Sequence, residues 1–197
     1  MILKNTKLKN ELKKFVSGKE IDDILVFGST IRGKEKPNDL DLLVVFNKKV
    51  DKEQEQKIKI ILKKHFNNIS IISKTKITIL DQSFDARESV LFEATSLLTG
   101  SNLAKKYGFI SFGMFKYDFS TWNKLQKTKF YYALNGRGSA EGIFQKTESI
   151  KLSDQIVLVP LDKIELFREF LESWKLDYKY VPMIIPERLG KKRILGK

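Results

Sequence analysis

The sequence predicts an α/β chain of the α+β kind, with a small mixed sheet backed by helices followed by a second α+β domain. Three observations carry this reading. Short runs of β-branched and apolar residues alternate with amphipathic stretches of helical length. Apolar residues make up 42% of the 197 positions, enough to bury a sizeable core. No internal repeat or low-complexity linker interrupts the chain, and its length suits one or two compact domains, divided here as 1–98 and 99–197.

The elements follow in order. Leu8, Leu12, Phe15 and Val16 recur at helical spacing after Thr6, so the periodicity predicts a helix ending near Gly18. Strands are expected at Ile24–Phe27 and Asp39–Phe46. Asp51 then caps a helix reaching about Phe66, with Ile58, Ile61, Leu62 and His65 on one stripe. Residues 69–80 read as a strand or strand pair, and Ala86–Leu98 as a helix ended by Gly100. The glycine- and aromatic-rich stretch KKYGFISFGMFKYDF falls near the domain junction. Beyond it, TKFYYALN alternates like a strand, with Phe130, Tyr132 and Leu134 on one face and Lys129 and Tyr131 on the other. GRGS at 136–139 suits a turn. A strand at Ile156–Val159, a helix opened by an Asp162/Glu165 capping box and a strand at Tyr178–Ile185 complete the chain.

One segment carries chemistry. The strand Ile24–Phe27 stops at Gly28-Ser29, and nine residues later Asp39-Leu40-Asp41 opens the next apolar run. Residues two apart on a strand project from the same face, so Asp39 and Asp41 point together while Leu40 enters the core. Adjacent carboxylates repel unless a cation lies between them, and hard oxygen ligands suit Mg²⁺, or Mn²⁺, better than zinc or copper. Gly28 allows a ligand close to the backbone, and Ser29 can both start a short helix and offer its hydroxyl, so free N–H groups would face an incoming phosphate. Arg32 and Lys34 follow within reach of a triphosphate, and Gly33, Pro37 and Asn38 turn the chain back towards Asp39.

Composition excludes several alternatives. There is no cysteine, so disulfides and thiolate metal sites are out, and a single histidine, His65, gives no basis for a histidine-based triad. No apolar stretch approaches the ~18 residues of a membrane span, and the N-terminal segment lacks a signal-peptide core, so a cytoplasmic location is expected. The net charge of +13 favours a polyanionic partner. Residues 1–98 carry 19 basic and 14 acidic side chains, and residues 99–197 carry 18 and 10, which makes the C-terminal half the more basic surface. There, Lys129, Tyr131 and Arg137 are the candidate nucleic-acid contacts. The basic tail residues Lys191, Lys192 and Arg193 are the other cationic cluster.

The pattern of Gly28-Ser29 followed by Asp39-Leu40-Asp41 between two strands resembles the signature of the DNA polymerase beta nucleotidyltransferase superfamily. The likeness extends over roughly the first 80 residues. It implies transfer of a nucleoside monophosphate from a nucleoside triphosphate to a hydroxyl, with two Mg²⁺ ions held by Asp39, Asp41 and a third acid from a neighbouring strand. Asp81 is the candidate for that third acid and Asp85 the alternative. Gly28 and Ser29, assisted by Arg32 and Lys34, would seat the phosphates. The superfamily modifies RNA 3′ ends, small molecules and, in antitoxin modules, proteins. The basicity of this chain favours RNA, and a catalytically inactive nucleic-acid-binding module is the non-enzymatic alternative.

Overall fold

The computed structural model describes residues 2–32 and 39–189. Lys34, the turn residues Gly33, Pro37 and Asn38, and the basic tail lie outside the described residues. The chain divides into two compact units, Met1–Tyr107 and Gly108–Lys197. The division falls after Tyr107, where the sequence reading placed it after Leu98.

The first unit opens with α1 (Thr6–Val16), which is capped by Asn5, whose side chain accepts the Leu8 N–H at 3.0 Å. Then come β1 (Ile21–Phe27), β2 (Leu40–Phe46), α2 (Lys52–Lys63), β3 (Ile69–Thr75), α3 (Arg87–Glu93), β4 (Thr95–Ser96) and α4 (Leu103–Lys106). Asp51 caps α2 as its position predicts, accepting the amide protons of Glu53 and Gln54. The strands form one mixed sheet in the order β3-β2-β1-β4, with β2 and β3 parallel and the other pairs antiparallel.

The central strands are apolar on both faces because both faces are covered. Ile24, Val26, Leu42, Val44 and Phe46 are buried on one side. There α2 lies against β3 and α1 against α2, contributing the buried Leu8, Leu12, Ile58 and Leu62. On the other side Leu25, Leu43 and Val45 form a core with Ile79, Phe84, Val90, Ala94 and Leu103, joined by Phe27 and Ile72. By strand alternation that second face is also the face of Asp41 and Ser70.

Two expected elements in this unit are shorter than predicted. The strand over 69–80 ends at Thr75, where Thr75 and Thr78 exchange backbone and hydroxyl hydrogen bonds and turn the chain into a 3₁₀ segment, Thr78–Leu80. Ile79 then drops into the core while Ile77 stays 84% exposed. The helix expected to reach Leu98 stops at Glu93. The edge of β1 needs hydrogen-bond partners, and Thr95 and Ser96 supply them by pairing with Val26 and Leu25.

The second unit contains β5 (Phe109–Tyr117), α5 (Lys124–Asn135), α6 (Ile143–Thr147), β6 (Ile150–Lys151), β7 (Ile156–Pro160), α7 (Ile164–Ser173) and β8 (Tyr178–Pro186). Its sheet is antiparallel throughout, in the order β6-β7-β5-β8. The glycine- and aromatic-rich stretch is β5, an inner strand. Gly113 is required there, since a Cβ would lie 2.9 Å from Ile164 of α7 and equally close to the Tyr180 ring of β8.

TKFYYALN is helical, which corrects the strand expectation. Asn123 and Gln126 form a reciprocal capping box ahead of it. The four-residue spacing of Phe130 and Leu134 then buries both on one helical stripe. Phe130 is 1% exposed, with the rings of Tyr117, Phe119, Trp122, Phe170 and Trp174 centred 5.2 to 5.9 Å away. Alternation and helical spacing both fit this octapeptide, and the cap and the aromatic cluster select the helix. The Asp162/Glu165 capping box does not form. Asp162 lies in a 3₁₀ turn paired with Lys163, and α7 starts at Ile164 without a side-chain cap. No helix among the described residues is long and apolar enough to cross a membrane.

Candidate active site

β1 delivers the chain to the site and β2 carries it away. Phe27, the last residue of β1, pairs with Asp41 of β2. Gly28 then takes a φ of +80°, a region that disfavours every side chain, and opens a 3₁₀ turn through Thr30. A Cβ on Gly28 would lie 2.9 Å from Asp41 Oδ2. The glycine therefore has two reasons to be there: the backbone angle and the carboxylate against which the loop is packed.

The turn is held from below by a residue that sequence reasoning missed. Glu93, the last residue of α3, is 2% exposed. Its Oε1 accepts the Gly28 N–H at 2.8 Å, and its Oε2 pairs with Arg32 Nη1 at 2.6 Å. One buried carboxylate thus fixes the start of the phosphate-type loop and the cation that follows it. The only signal in the sequence was an acid inside the apolar stripe VLFEA. Glu93 takes the Gly28 amide, and the Ile31 amide donates back to the Gly28 carbonyl at 3.0 Å to close the turn. Within that turn the Thr30 hydroxyl oxygen is buried with no partner among the described residues.

Asp39 is exposed just before β2 and Asp41 is partly buried at its start. Burial pushes the Asp41 carboxyl above the usual carboxylate range; the Asp39 charge adds to the effect and Arg32 opposes it. Two carboxylates that feel one another beside a loop with no room for a methyl group make a donor set that fits a hard divalent cation. Ser70 is the register partner of Asp41 on β3, so the position closest to the pair on that strand offers a hydroxyl oxygen.

The expected third acid does not join them. Among the described residues no three acidic or histidine side chains converge on a metal-sized site. Asp81 follows the 3₁₀ turn beyond Thr75, at the end of the sheet opposite Asp41, and its exposed carboxylate accepts the Ser83 N–H at 2.8 Å. Its carboxyl is held low chiefly by those Ser83 hydrogen bonds, as in a turn-forming aspartate. Asp85 is exposed in the loop ahead of α3. Hence Gly28, Ser29, Arg32, Asp39 and Asp41 come together, and Asp81 and Asp85 stay apart from them.

In the second unit the helix re-sorts the three candidate binders. Two residues apart on a helix are about 200° apart, so Lys129 and Tyr131 lie on opposite sides of α5. Tyr131 lines a groove with Lys124 and Lys127, and the Arg137 guanidinium lies over the Tyr132 ring, 4.9 Å from its centre.

Comparison with known proteins agrees with the first-unit geometry. Residues 7–98 match the family model Polymerase beta, Nucleotidyltransferase. No curated protein matches the sequence at a significant level. Two solved structures show remote likenesses. One is a mutant MntA–HpeT toxin–antitoxin complex, at 12% identity over 50% of this chain and 78% of that one, with a TM-score of 0.36. The other is a tri-AMPylated HEPN toxin with its MNT antitoxin from Shewanella oneidensis, at 12% identity over 51% and 76%, with a TM-score of 0.32. Residues 7–98, which hold the glycine-serine turn and both aspartates, are thus the part of the chain that is similar to the polymerase beta nucleotidyltransferase family.

Proposed function

We propose that the first unit transfers a nucleoside monophosphate from a nucleoside triphosphate to a terminal hydroxyl of RNA, with Mg²⁺ held at Asp39 and Asp41. The observation that carries this reading is the packing of the Gly28 backbone against the Asp41 carboxylate, which sets a phosphate-type turn beside an acidic pair. The acceptor oxygen forms a bond to the α-phosphorus, the bond from that phosphorus to the bridging oxygen breaks, and pyrophosphate leaves. A divalent cation supplies charge neutralisation and a more acidic acceptor hydroxyl when bound, and Mn²⁺ suits the same oxygen ligands.

The protein's own share is positioning. The turn at Gly28 and Ser29 seats the terminal phosphates. Arg32, steadied by Glu93, offers its guanidinium to them, with Lys34 as a second cation. Asp41 at the start of β2 and Asp39 just ahead of it supply the metal-binding oxygens. RNA as acceptor is supported by the net charge of +13, which draws a polyanion.

Incubating the protein with each α-labelled nucleoside triphosphate, Mg²⁺, total RNA and cell protein tests the reading, beside the Asp39→Asn/Asp41→Asn variant. Label is expected in the RNA fraction, reduced at least ~10³-fold by the variant, which equals about 4 kcal/mol of barrier. Equal labelling by both proteins would end the catalytic assignment. Metal-dependent label in the protein fraction alone would keep the transfer chemistry and remove RNA as its acceptor.

A further inference from the structure

We infer that the groove along α5 binds single-stranded nucleic acid, with a base stacked on Tyr131 and backbone phosphates against Lys124 and Lys127. The groove has a volume of about 570 Å³, its walls include those three side chains with Lys151, Phe119 and Tyr132, and the buried Phe130 and Leu134 form its floor. Its charge is one-sided. Residues 119–140 carry four cations and no acid. The acid on the groove's edge, Asp154, pairs with Lys151 at 2.6 Å, so the pair cancels and Lys124 and Lys127 are the groove's excess charge. Lys127 donates to the Ser120 carbonyl at 3.0 Å, which anchors its ammonium at the mouth without cancelling its charge.

The aromatic content narrows the partner. Tyr131 is 56% exposed and Tyr132 39%, and their rings meet edge to face at 5.9 Å. One Tyr132 face is already covered by the planar Arg137 guanidinium, whereas Tyr131 stays largely open. An apolar peptide would leave the lysines without counter-charges. An acidic peptide would satisfy them but offers no flat ring to the tyrosine. A duplex satisfies the lysines yet keeps its base faces stacked inside. A single strand provides both phosphates and free base faces, and such stacks contribute about 1–3 kcal/mol each.

That the bound strand is the acceptor rests on the function proposed above, whereas binding itself does not. The test is fluorescence anisotropy of a labelled single-stranded RNA, about a dozen nucleotides long, in EDTA and without triphosphate. Tyr131→Ala, and separately Lys124→Gln/Lys127→Gln, are each expected to weaken binding about five- to hundred-fold. The lysine pair should also flatten the salt slope by about 0.7 per lysine removed. Tyr131→Phe should bind like wild type, and circular dichroism should show α5 intact in every variant. Lys129→Gln makes the same charge change on the far side of the helix and should stay within about twofold of wild type. The inference is overturned if the RNA shows no saturable binding, if Lys129→Gln weakens it as much as a groove lysine does, or if Tyr131→Ala has no effect. RNA that binds but never accepts label would sink the proposed function and leave this groove standing.

Discussion

The acidic end of the first sheet and the basic groove of the second unit are built by opposite means. Asp41 stands on backbone at the start of β2, flanked by a register partner on each side and by a turn that admits no Cβ, and Asp39 lies just before the strand. Lys124, Lys127 and Lys151 sit at the ends of long flexible side chains around an aromatic floor. The difference teaches what each job demands. Binding a small, hard cation needs oxygen atoms at set separations, which a strand supplies through its two-residue period. Attracting a phosphate chain needs a net field and a flat ring, which tolerate several ångströms of adjustment.

Three experiments would break or sharpen that contrast. The largest expected effect is on the aromatic floor. Phe130→Ala removes the ring at the centre of five aromatic side chains and should cost about 3–5 kcal/mol of second-unit stability, measured by urea unfolding. Because each unit has its own core, Mg²⁺-dependent stabilisation of the first unit should survive in this variant. Loss of that response would show that the two regions are not separable.

The next effect is on the site's support. Glu93→Gln keeps the shape but removes the charge that holds both Gly28 and Arg32, at an expected cost of about 1.5–3 kcal/mol. Steady-state kinetics should show a larger rise in KM for the triphosphate than fall in kcat. A change in kcat alone would place Glu93 at the reacting atoms, and no change in either would mean that the turn holds itself.

The smallest effect is a pH dependence. With its carboxyl pushed above the usual range, first by burial and then by Asp39, Asp41 binds its proton more tightly in the folded state. The stabilising contribution is complete below the unfolded carboxylate pKa and is lost as pH rises through the raised folded value. Thermal melts of the metal-free protein should therefore show Asp41→Asn gaining on wild type as pH climbs from 4 to 7, on the order of a carboxylate titration range. Mg²⁺ should lift wild type at pH 7 and leave the Asn variant unmoved. An Mg²⁺ response of equal size in both proteins would remove Asp41 from the metal site.

Much of this was legible in the residues themselves. Gly28 before Asp39-Leu40-Asp41 states both the turn and the charge, because glycine alone tolerates a φ of +80° and the two aspartates stand within two residues of each other at the start of β2. Asp51 announces its helix, since an aspartate ahead of an amphipathic run has amides waiting for it. Such features depend on neighbours within a few positions. TKFYYALN shows where local reading fails, because its residues suit a strand by alternation and a helix by four-residue spacing. The tie was broken by Asn123 and by Trp174, one beside the segment and the other 39 positions beyond its end.

By itself the sequence determined the acidic pair at the opening of β2, the glycine that lets a loop lie against Asp41 and the excess of positive charge. Only the tertiary structure decided that Glu93, 65 residues from Gly28, clamps that loop, that Ser70 is the β3 register partner of Asp41, and that Lys129 turns away from Tyr131. The physical reason is range. Backbone angle and side-chain alternation are settled by adjacent residues, whereas a buried hydrogen bond between distant residues exists only once the chain has packed around it.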